Sequence, residues 1–106
     1  MAEHFNDLTP SEAERLALLV EECGEVQQAV GKILRHGYES RNPLDPNSPT
    51  NRETLASELG DLRAVMRMLI CNDDVSSAAV ARAYTDKIMR VGRWLHHPQT
   101  SPLNVP

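Results

Sequence analysis

At 106 residues with a formal net charge of −4, the chain has the size of one domain and an acidic balance. That balance excludes a binder of nucleic acid polymer whose affinity comes from basic residues. The longest apolar run, Leu16 to Val20, excludes a membrane span. Cys23 and Cys71 lack ligand spacing and read as small core residues of a reducing compartment. No signal peptide is visible at the N-terminus, so the expected setting is cytoplasmic.

Residues 1–8 carry no periodicity and read as a loose arm. Thr9-Pro10-Ser11-Glu12 then marks a helix start. Thr9 caps, Pro10 suits the first helical position, and Glu12 reaches back to the cap amide. Apolar residues at three- and four-residue steps (Leu16, Leu19, Cys23, Val26, Val30 and Ile33) predict a helix over about 10–36, and Gly37 stops it. Three prolines break residues 38–50 into a loop, and so long a loop in so small a domain is functional or disordered. Thr50-Asn51-Arg52-Glu53 repeats the capping box and opens a second helix, 51–71, with Leu55, Leu59, Leu62, Val65, Met66 and Leu69 on its apolar face. Asp73 or Asp74 is expected to cap a third, over about 75–95, with Val80, Tyr84, Ile88, Val91 and Leu95 along one side. Residues 96–106, with three prolines and no pattern, read as a tail. The expected fold is all-α: one domain over residues 1–106, a long-helix bundle of three main helices completed by oligomerisation, because so short a chain buries only a modest core.

Five carboxylates stand out. Glu21, Glu22 and Glu25 share one face of the first helix, beside its apolar stripe. Glu58 falls among the leucines of the second helix, with Asp61 at the border. A pair of glutamates on one helix is ordinarily a solvated face. Glu58 does not fit that reading, because an unpaired carboxylate there is strongly destabilising. Arg63 and Arg67 point away from it. A hard divalent cation, Mg²⁺ or Mn²⁺, supplies the missing charge and accepts phosphate oxygens in place of its waters.

Glu21-Glu22-x-x-Glu25 followed by Glu58-x-x-Asp61 resembles the EExxE…ExxD motif of the MazG-like, all-α nucleoside triphosphate pyrophosphohydrolases, over about Ser11 to Trp94. The resemblance implies Mg²⁺ ligation by Glu22, Glu25, Glu58 and Asp61, with Glu21 acting on a water or ligand. It implies conversion of a (d)NTP to the monophosphate and diphosphate, with Glu21 or Glu25 as the base and a purine deoxynucleotide such as dGTP as a candidate substrate. It also implies a homo-oligomer, dimer or tetramer, whose sites are walled by two chains. The short chain looks like the stand-alone, phage-encoded members. Thirty-two residues separate Glu25 from Glu58, long for the pattern, and the Pro-rich loop fills the interval.

A triphosphate needs cations. Lys32, two turns beyond Glu25, and Arg35, near the helix end, are candidates, although both also complement the helix dipole. Lys87, beside the apolar face of the third helix, is another, with snorkelling as the plain alternative. The Asn of the family's third helix is not found here. Asp86, between Arg82 and Arg90, reads as a surface ion-pair ladder, and Tyr84 as core. Two other readings stay open: an all-α phosphohydrolase of dUTP, dCTP or a phosphoribosyl nucleotide, and a non-enzymatic helical interaction module.

Overall fold

A computed structural model describes residues 5–100 and 102; the first four residues of the expected arm, and residues 101 and 103–106 of the expected tail, lie outside it. Three helices follow one another: α1 (Pro10–His36), α2 (Asn51–Cys71) and α3 (Ser77–Val91), with a 3₁₀ turn at Gly92–Trp94. The described residues contain no strand, so the class is all-α.

The helix starts follow from local chemistry. The Thr9 Oγ1 accepts the Glu12 amide at 3.1 Å, and Glu12 accepts the Thr9 amide at 2.8 Å. Thr50 and Glu53 repeat the exchange at 3.1 and 3.2 Å. Gly37 ends α1 with φ 88° and ψ 167°, a conformation open almost only to glycine. The chain then makes an excursion and returns: the amides of Asn51 and Arg52 donate to the carbonyls of Ser40 and Tyr38, each at 2.9 Å. Arg52 also lies over the Tyr38 ring at 4.3 Å and pairs with Glu39 at 2.7 Å. The Pro-rich loop is thus tied at its neck, and α1 and α2 pack as a hairpin.

At the far end, Asp73 takes φ 59° and turns the chain out of α2. Asp74 accepts two hydrogen bonds from Arg15 of α1, at 2.6 and 2.8 Å, and this guanidinium holds its carboxyl below the usual range. Contrary to the expectation from the sequence, neither aspartate caps α3; Ser76 does, accepting the Ala79 amide at 3.2 Å. The third helix is correspondingly shorter than its apolar pattern, ending at Val91 before the 3₁₀ turn.

The core lies between α1 and α2, where Ala29, Val65, Leu69 and Thr50 are buried. α3 meets that pair only marginally. Tyr84, expected in the core, is 61 % exposed, and Cys23 and Cys71 are free and exposed too. In each case the reason is the same: among the described residues no second layer covers those faces. Among the described residues no ion pair reaches Asp86, so its expected ladder is not formed. The radius of gyration is 17.7 Å, against about 13 Å for a compact chain of this length. No described helix is long and apolar enough to cross a membrane.

Candidate metal centre

The residues of α1 turned toward α2 run Arg15, Leu18, Leu19, Glu22, Val26, Ala29 and Ile33, all wholly or partly buried. This seam is rotated by about one residue from the expected stripe, in which Leu16, Cys23 and Val30 took part; those three are exposed. The small side chain of Ala29, the one buried residue of α1, marks where the helix presses on its neighbour. Glu22 stands seven residues before Ala29 and seven after Arg15, in the middle of the seam and not at its edge. From α2, Glu58 enters the same space half-buried, and Asp61 one turn on remains exposed.

One carboxylate oxygen each from Glu22, Glu58 and Asp61 lies within 4.8 Å of the others. The Glu22 Oε2 is enclosed and has no hydrogen-bond partner. Burial raises the Glu22 pKa first, and the charges of Asp61, Glu58, Glu21 and Glu25 raise it further. Glu58 is raised in the same way, by burial and then by Glu25 and Asp61. Among the described residues no ion pair relieves this triad. Three converging oxygen donors, an orphaned buried oxygen and uncompensated negative charge fit a hard divalent cation.

Glu25 is half-buried beside the triad but outside it, and Glu21 is exposed. Lys32 and Arg35, both exposed, line a cleft at the end of α1. Lys87 is exposed on α3, on a helix that does not pack over the acids. Two groups escape sequence reasoning. Arg41 joins Lys32 and Arg35 on the cleft wall, but it lies in a loop without periodicity. Arg15 and Asp74 are fifty-nine residues apart, and nothing in either's local pattern marks the other as its partner. The seam itself had one readable signal, the seven-residue steps Arg15, Glu22 and Ala29.

Residues 11–96 match the family described as the MazG nucleotide pyrophosphohydrolase domain. No curated protein and no solved structure gives a match.

Proposed function

The chain belongs to the MazG nucleotide pyrophosphohydrolase family, and from that premise we propose that it hydrolyses a nucleoside triphosphate, (d)NTP, to the monophosphate and diphosphate with Mg²⁺ or Mn²⁺. The observation that carries this reading is the triad of Glu22, Glu58 and Asp61, with one buried glutamate oxygen left unpartnered. Glu22, Glu58 and Asp61 would hold the cation, with Glu25 as a fourth ligand or as the base. A divalent cation, when bound, neutralises phosphate charge and polarises the phosphorus under attack.

The residues of the chain do the rest. Water adds to the α-phosphorus, the bond from it to the bridging oxygen breaks, and that oxygen leaves with the diphosphate. Glu25, half-buried beside the triad, accepts the proton of the attacking water, a role that exposed Glu21 fills less directly. Lys32 and Arg35 balance the phosphate charge from the end of α1. Lys87 reaches a site only by way of a second copy of the chain, because its own helix stands off the acids.

That second copy has independent support. The chain exposes 8797 Å², against about 5,900 Å² for a compact monomer of 11.8 kDa. Tyr84, Met89 and Leu95 contribute exposed apolar surface in the α3 region. We therefore assign a dimer or tetramer in which α3 packs across protomers, and place the enzyme in the cytoplasm.

A panel of deoxy- and ribonucleoside triphosphates, dGTP first and dUTP and dCTP included, tests the reading with Mn²⁺ and product analysis. Release of monophosphate and diphosphate, lost in Glu58→Gln and Asp61→Asn, is the expected result. Hydrolysis of no triphosphate by a folded, metal-loaded oligomer would leave a non-enzymatic interaction module, for which the exposed side of α3 suffices.

A further inference from the structure

The last turn of α1, the Pro-rich loop and the first turn of α2 enclose a cleft of about 570 Å³, within the range of small-molecule sites. Eleven described residues line it, and none of them is acidic. Lys32, Arg35 and Arg41 bring three cationic side chains to one cleft in a chain whose net charge is −4. Asn42 adds an amide, while the Asn51 side-chain amide donates to the Gly37 carbonyl at 3.1 Å.

Complementing the helix dipole accounts for Lys32 and Arg35. It does not account for Arg41, which belongs to the loop. There the Arg41 Nη1 donates to the Ser48 carbonyl at 2.6 Å and stands 3.9 Å from Glu53. Ser48 in turn accepts the Asn42 amide at 3.1 Å through its hydroxyl and donates that hydroxyl to the Asp45 carbonyl at 2.7 Å. The loop is folded on itself and holds its cation against the cleft. Lys32 follows Glu25 by two turns on one side of α1, which sets the cleft about 10 Å along the helix from the acids.

We propose that this cleft is an oxyanion subsite that receives the diphosphate end of the substrate, the part that departs as inorganic diphosphate. The anionic chemistry rests on the cleft alone; that the anion belongs to the substrate rests on the nucleotide reading above. Arg41, Lys32 and Arg35 then grip the terminal phosphates while the acids one step away act at the α-phosphorus. The loop that lengthens the interval between the two acidic motifs thereby becomes part of the substrate site.

Calorimetric titration of the full chain with inorganic diphosphate, in EDTA, reads the cleft without any hydrolysis. Wild type is expected to bind. Arg41→Gln is expected to weaken binding by about tenfold or more, the loss of one charge-assisted hydrogen-bonding group. Glu14→Gln, exposed at the opposite end of α1 from the cleft, is expected to bind as wild type does. Asn42→Asp, which puts a carboxylate into the cleft from an exposed loop position, is a second variant should Arg41→Gln fail to fold. No binding by wild type, or equal binding by folded variants, overturns the subsite. Diphosphate is also expected to compete with an α,β-imido nucleoside triphosphate, and independent binding of the two overturns its assignment to the substrate's own phosphates. Failure of the hydrolysis panel with diphosphate binding intact removes the nucleotide reading and leaves the anion site standing. A KM for triphosphate unchanged in Arg41→Gln overturns the assignment of the cleft to the substrate and leaves the hydrolysis reading standing.

Discussion

Glu22 and Glu58 occupy positions where a helix seam ordinarily places leucine, and both are held above the usual carboxylate range by burial and by like charge. Their ionised forms therefore oppose folding unless a cation is present. Glu58→Gln keeps the shape and removes the charge, so in EDTA at neutral pH its thermal midpoint should lie above that of wild type. The same variant should lose the rise in midpoint that Mn²⁺ gives wild type. Hydrolysis should fall by more than ~100-fold, because even outer-shell partners of a metal are worth about 10–100-fold. A lower midpoint in EDTA would show instead that the Glu58 charge has a partner. At this scale Glu58 was readable from the sequence, because its direction on the helix wheel is unambiguous among Leu55, Leu62 and Val65. The central place of Glu22 was not, because Ala29 sets the rotation of α1 and an alanine adds little to an apolar pattern.

The helices owe their limits to polar side chains at their ends more than to propensity within them. Thr50 is buried at the start of α2, and its hydroxyl accepts the Glu53 amide. Thr50→Ala should cost about 1 kcal/mol, a fall in midpoint of roughly 4–8 °C for a domain of this size; circular dichroism on heating measures it. Both capping boxes could be read directly, since Thr and Glu three residues apart ahead of an apolar run leave few alternatives. The start of α3 could not. Asp73 and Asp74 look like caps, but one carries the left-handed turn and the other is taken by Arg15. A cap is a local decision, and a partner from a distant helix overrides it.

The molecule as a whole is a hairpin with an arm, and its stability should answer to pH in two opposing stages. Glu22 and Glu58 are raised in the folded state, so without metal their protonation favours folding as pH falls from neutral toward the ordinary Glu value. Asp74, lowered by Arg15, and Glu53, lowered by the Thr50 backbone and hydroxyl, stabilise above the unfolded carboxylate values. That support is lost as pH falls further, through their folded values, below about pH 4. Unfolding in EDTA should thus show greatest stability at mildly acidic pH, and saturating Mn²⁺ should abolish the rise on the acid side. Self-association is the other property at this scale. Ile88→Glu, in the apolar row of α3, should yield monomers in sedimentation velocity while α1 and α2 keep their helical signal. The all-α class was legible because three periodic segments and no alternating one leave no other choice. The departure of α3 from the hairpin was not, because an apolar face states that it will be covered without stating by which chain.

The neck of the loop carries one more implication. Ser40 meets Asn51, and Tyr38 meets Arg52, backbone to backbone, so residues 41–49 leave and re-enter the hairpin at nearly one point. Such a segment is an exchangeable cassette. Its length and composition can change without sliding the two acid-bearing helices past each other, so the candidate metal centre keeps its geometry while the segment above it varies. A chimera carrying a foreign segment at 41–49 would be the direct way to transplant selectivity between relatives.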